Sequence, residues 1–192
     1  VRGNSPQSLQ WKMEGVEISN PNHFADLSVF GGGALTALSS QLLANSDFMS
    51  GAMPAEYGNA LSGVFDIYMR NGNNQKHEHT IQLGLVGIDV ASEGPFKKGA
   101  KSSYLFNYRY STMALISPLL PDNAQGTKYQ DLSFKLNFPT KKAGVFSIWG
   151  IGLSDFSDVQ AKNDVTQWEY DDDRESMTAQ QYMGAVGITH KI

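Results

Sequence analysis

From residue 76 to the end of the chain, apolar and polar positions alternate with a period of two, the signature of strands with two unlike faces. Ile81, Leu83 and Leu85 alternate with Gln82 and Gly84, and the phase slips near Val86-Gly87, which reads as a bulge. Tyr104, Phe106, Tyr108 and Tyr110 share one face of the next run, with Ser103, Leu105, Asn107 and Arg109 on the other. Leu132, Phe134, Leu136 and Phe138 alternate with Ser133, Lys135 and Asn137. Residues 145–156 and 177–192 supply two further strands, so residues 75–192 predict about five in all. The segments between them alternate between short (94–101, 139–144) and long (117–128, 157–176). That is an antiparallel meander with tight turns at one end and long loops at the other.

Residues 1–74 have another texture. Residues 8–18 read as two short strands about Glu14-Gly15, and Asn20-Pro21-Asn22 breaks the chain. Gly31-Gly32-Gly33 marks a turn. Ser39 or Ser40 is placed to cap a short helix through Leu42 and Leu43. Residues 45–50 read as a strand, 54–58 as a turn, and 63–70 as an alternating strand closed by the Asn71-Gly72-Asn73-Asn74 turn. The chain thus divides near residue 75 into a small mixed unit and a longer β unit.

Composition narrows the class. The 192 residues contain no cysteine, which excludes a disulfide framework, a cysteine-ligated zinc site and a thiol nucleophile. A net charge of −4 argues against nucleic acid as a partner. No apolar run is long enough for a transmembrane helix, and no signal peptide stands at Val1. Only 18% of residues are charged, and the polarity comes instead from Ser, Asn, Gln and Thr among aromatics and glycine. Membrane β-barrels share that balance, because their lipid face alternates with polar residues and escapes hydropathy scans. A soluble β-sandwich alternates equally well; the aromatic outer faces favour the barrel.

The order of motifs in the first seventy residues is more specific than any one of them. Val1-Arg2-Gly3 is followed by Met13-Glu14-Gly15-Val16-Glu17-Ile18, then Asn20-Pro21-Asn22-His23-Phe24, then Leu42-Leu43 leading to Met49-Ser50-Gly51. Met53-Pro54-Ala55-Glu56-Tyr57-Gly58 and Gly63-Val64-Phe65-Asp66-Ile67 close the series. The series resembles the plug domain of TonB-dependent outer-membrane receptors. Ser92-Glu93-Gly94-Pro95-Phe96, Ser103-Tyr104 and Arg109-Tyr110 resemble the first barrel hairpin of Bacteroidetes-type members, of the carboxypeptidase-regulatory-like rather than the SusC type. The resemblance covers residues 1 to about 110.

It implies a mainly β chain with a small α+β part: a C-terminal portion of a plug (1–74), then the first strands (75–192) of a transmembrane β-barrel of about 22 strands. The plug turn motifs would be Glu14, Gly15, Pro54, Tyr57 and Gly58. Arg2 would latch plug to barrel, alone, because Ser50 stands where many members carry a second arginine. Glu17 replaces a common proline. The Lys-Asp-Ala-Ser-Ala run of SusC-type glycan importers is missing, which argues against a SusD-type partner. The chain is expected to be a piece of a longer receptor, since 22 strands of roughly 9–11 residues each exceed its length. The implied setting is the cell outer membrane, with lipid around the barrel. The implied partner is a TonB-type energy-coupling protein acting through an N-terminal box outside this sequence. The transported ligand is left open among siderophore, cobalamin, glycan and peptide, with residues 117–128 and 157–176 as the extracellular contributions. No covalent chemistry and no cofactor are implied, and a piece with free strand edges is expected to self-associate.

Rival chemistry is sparse. His77 and His79 fall on one strand face, as a metal pair would, but no third ligand is evident and the stretch reads better as a solvated polar one. Asp171-Asp172-Asp173 suits calcium or simply a solvated loop. Gly31-Gly32-Gly33 lacks the Lys-Ser/Thr of a phosphate loop, and no nucleophile elbow occurs. The alternative function is a soluble all-β carbohydrate-binding module with Tyr104, Tyr108 and Trp168 as its platform.

Overall fold

A computed structural model describes residues 8–25, 35–51, 53–84, 87–112, 115, 127–162, 164–168 and 174–192. Arg2, Gly31-Gly32-Gly33 and Asp171-Asp172-Asp173 lie outside them, as does most of 117–128.

The first part of the chain builds a small four-stranded sheet. Strands β1 (Leu9–Met13) and β2 (Val16–Ile18) form a hairpin, and β5 (Asp47–Met49) pairs with β6 (Gly63–Ile67). The order is β2-β1-β6-β5, with β1 and β6 parallel. A two-residue hairpin with positive φ at both central positions matches the twist of its strands. Glu14 (φ 51) and Gly15 (φ 84) meet that requirement. Between β2 and β5, β3 (Asn22–His23) pairs with β4 (Leu35–Thr36).

The helix expected after Ser39 does not form. Ser39 Oγ accepts the Gln41 N–H at 3.4 Å and Ser39 O accepts that of Leu42, which makes a single turn. The next backbone groups are then taken by a neighbouring segment: Arg70 N–H donates to Leu42 O and Ala44 N–H to Tyr68 O, with a bridge between Leu43 and Met69. Those groups are no longer available for helical bonds.

The second part is a six-stranded antiparallel meander: β7 (Glu78–Leu83), β8 (Gly87–Pro95), β9 (Ser103–Ser111), β10 (Thr127–Pro139), β11 (Val145–Val159) and β12 (Met177–Lys191). Neighbours in sequence are neighbours in space, and β7 and β12 stand at the two ends of an open sheet. Six strands replace the expected five because the phase slip near Val86-Gly87 is a chain reversal, not a bulge. Gly84 N–H donates to Gly87 O, and Leu83 pairs with Ile88, Ile81 with Val90. Both arms send apolar side chains to the same face, so the hairpin looks in the sequence like one strand that changes phase.

The large sheet is inverted relative to a soluble sandwich. Ser103, Asn107, Asp131, Ser133, Lys135, Asn137, Ser147 and Asp155 are buried on the face that carries the small unit. The opposite face bears Ile81, Leu83, Val90, Phe106, Leu132, Phe146, Tyr182, Val186 and Ile188, all exposed. Val186 and Ile188, on β12, are 74% and 72% exposed. Among the described residues, the apolar packing between the two parts forms one cluster, in which Met13, Ile67, Met69 and Ala37 meet Trp149, Ile151 and Leu153 of β11. Trp11 packs against the same cluster and stacks on Phe65 with ring centroids 4.4 Å apart.

Candidate functional site

Around that cluster, three main sets of polar contacts join the small unit to the inner face of the large sheet, beside a single hydrogen bond from Ser39 Oγ to Asp89 at 3.4 Å. The β1–β2 turn projects Glu14 onto β10, where Lys135 Nζ donates to Glu14 Oε1 at 2.6 Å and to Met69 O at 2.7 Å. The same Glu14 oxygen accepts the Met69 N–H at 2.9 Å. The Glu14 and Lys135 side chains are 1% and 7% exposed, so each charge has lost most of its water and leans on the other.

The second set centres on β3. His23 is fully buried, with Nε2 2.9 Å from Asp131 Oδ2 on β10 and Nδ1 3.2 Å from Asp155 Oδ2 on β11. Tyr129 lies against the imidazole with centroids 4.6 Å apart, and the Phe24 N–H also donates to Asp155. Arg109 on β9 reaches Asp131 through Nε and Nη2 and bonds the Thr36 carbonyl of β4.

The third set closes the segment that leads into the large sheet. Arg70 makes a bidentate pair with Glu93 of β8 at 2.8 and 2.7 Å, and its Nε donates to Gln41 O. The Glu93 hydrogen bond raises the Arg70 guanidinium above its ordinary value. Glu93 also accepts the Asn73 N–H at 2.7 Å, and Asn73 Nδ2 donates to Glu78. Between the first and third sets lies a cavity of about 370 Å³ whose walls include Glu14, Tyr68, Arg70, Lys135, Asn137 and Lys191.

Glu14 and Gly15 stand at the hairpin turn, and Glu14 is part of this interface. Pro54, Tyr57 and Gly58 serve the small unit itself. Pro54 precedes a single 3-10 turn, Ala55–Tyr57, and its carbonyl accepts the Tyr57 N–H. Tyr57 Oη donates to Asp66 at 2.9 Å, Tyr68 donates to the same oxygen, and Lys12 sits over the Tyr57 ring. The Asp66 carboxylate pushes the Tyr57 phenol up to about 12. Gly15 needs its positive φ, whereas Gly58 has an ordinary right-handed φ of −61°.

His77 and His79 do share a face, with rings 6.5 Å apart. Their Nδ1 atoms are engaged by Tyr104 and Ser92 respectively. Among the described residues no group of three or more His, Asp or Glu is arranged to hold a metal ion. Tyr104 and Trp168 do not form one platform. Tyr104 lies where β8 turns into β9, while Trp168 lies in the connection at the opposite end, under Arg174 and donating to Lys162 O.

Sequence reasoning passed over His23, Asp131, Asp155, Arg70 and Glu93 as an interface. The available signal was a full charge in the Ser/Asn phase of an alternating strand, as at Arg109, Asp131, Lys135 and Asp155. Comparison with known proteins finds no matching family model, no matching curated sequence and no matching solved structure.

Proposed function

We propose that this chain is part of a TonB-dependent outer-membrane receptor, with residues up to 74 acting as plug and the six-stranded meander as a section of the barrel wall. One observation carries the reading: the large sheet buries a face dominated by Ser, Asn and charged side chains, interrupted by Leu105 and by Trp149, Ile151 and Leu153, and exposes the face that is apolar. A water-soluble sandwich buries the apolar faces of its sheets. A barrel in lipid does the reverse, with an apolar outer band and a polar interior. The small unit suits a plug because side-chain ion pairs and one modest apolar cluster hold it to the wall. Such a unit can be withdrawn without exposing a large apolar core. In this reading a periplasmic TonB-type protein pulls the plug, the three polar sets separate, and ligand passes along the polar wall. The open ends at β7 and β12 would be closed by further strands of the barrel.

Reading the gene on both sides of this segment tests the proposal. Several hundred further residues of alternating strands are expected downstream. A stop codon soon after Ile192 refutes the receptor.

A further inference from the structure

The two ends of the large sheet differ in charge. The connections 96–102 and 140–144, the start of β7 and the end of β12 all lie at one end, since Pro95 pairs with Ser103, Pro139 with Val145, and Val145 with Lys191. Those two connections contain Lys97, Lys98, Lys101, Lys141 and Lys142 and no acidic residue. All five lysines are exposed, and none makes an ion pair with a described residue. Of the connections at the other end, 160–176 has six acidic residues against Lys162 and Arg174.

Beside the lysines runs a belt of rings on the outward face. Phe96 stacks on Phe138 at 5.2 Å and meets Tyr104 at 5.8 Å; Phe146 stacks on His190 at 4.1 Å. Tyr104 Oη is hydrogen-bonded to His77 and Ser92, so the belt has a polar margin. Rings with an apolar body and a polar edge settle at the boundary between acyl chains and headgroups. Lysines just beyond such a belt extend their stems along it and place the ammonium groups at the level of lipid phosphates.

We propose that the lysine-bearing turns at this end bind the headgroups of anionic phospholipids. The inference rests on the membrane reading above and adds a lipid preference to it. An anionic surface attracts each nearby lysine by about 1 kcal/mol, or about fivefold in affinity. The chain as a whole carries −4. Without a local basic patch it would therefore avoid anionic vesicles.

The test measures binding of the purified chain to vesicles of phosphatidylcholine alone and of phosphatidylcholine mixed with phosphatidylglycerol, at low and high salt. At least tenfold tighter binding to the anionic vesicles is expected, shrinking as salt rises. The triple variant K97Q/K98Q/K101Q should lose most of that preference. The corresponding Lys→Arg triple should keep it, and Lys128→Gln at the far end should leave it unchanged. Equal, salt-insensitive binding to both vesicles overturns the proposal while the membrane reading stands. So does a Gln triple that keeps its preference, or a Lys128→Gln variant that loses as much. Failure to bind either vesicle overturns both.

Discussion

Replacing Lys135 with methionine tests whether the ion pair with Glu14 holds the small unit to the large sheet. The substitution keeps most of the apolar stem and removes the ammonium that sits 2.6 Å from Glu14 and 2.7 Å from Met69 O. Glu14 then stays in place, 1% exposed, with only the Met69 N–H as a described donor. Removing one partner of a buried pair costs about 3–5 kcal/mol, because the remaining charge is stranded. The retained stem, and the cavity beside Glu14 that has room for water, place Lys135→Met near the lower figure. Adding Glu14→Gln removes the stranded charge and leaves an amide oxygen for the Met69 N–H. The double variant should therefore recover about 2 kcal/mol, a coupling within the range for contacting residues. Urea unfolding of the chain in detergent micelles, followed by tryptophan fluorescence, reads both effects, since Trp11 and Trp149 lie at the interface. A loss below about 1 kcal/mol for Lys135→Met refutes the reasoning. So does a double variant whose loss equals the sum of the singles.

Three other outcomes are expected. Gly72→Ala would set its Cβ 2.0 Å from Tyr104 O, on strand backbone with no room to yield. It should cost at least the ~1–3 kcal/mol of an overpacked site, read in the same unfolding assay. Tyr57 is held protonated by Asp66, so its contribution to stability is complete below the unfolded value near 10 and is lost as pH rises toward about 12. Ultraviolet difference titration against Tyr57→Phe should show that late midpoint, and Asp66→Asn should move it down; an unmoved midpoint removes Asp66 as the cause. The cysteine-free chain permits single-cysteine labelling along β12. Probes at Val186 and Ile188 should be quenched by brominated lipid, and a probe at Thr189 should not. A uniform response along the strand contradicts an outward apolar face.

The strands of the large sheet are legible because alternation is a local property. Tyr104, Phe106, Tyr108 and Tyr110 announce one face within a few residues, and the structure keeps them there. The β7–β8 hairpin escaped the same reasoning because its two arms pair apolar with apolar, so the pattern persists through the reversal. The helix expected after Ser39 failed for a non-local reason: residues 68–70 claimed the backbone groups it needed. Glu14-Gly15 was legible as a turn. That Glu14 also meets Lys135 was not, since the two are 121 positions apart.

By itself the sequence determined the period-two strands and the Glu14-Gly15 reversal, both of which depend on the order of neighbouring side chains. Alternation defines two faces of a sheet and does not say which one is covered. Only the tertiary structure decided that the small unit lies on the polar face. It also decided that His23 meets Asp131 and Asp155, 108 and 132 positions away. Those contacts are set by strand register and by where the small unit rests, and both emerge only when distant segments share one surface.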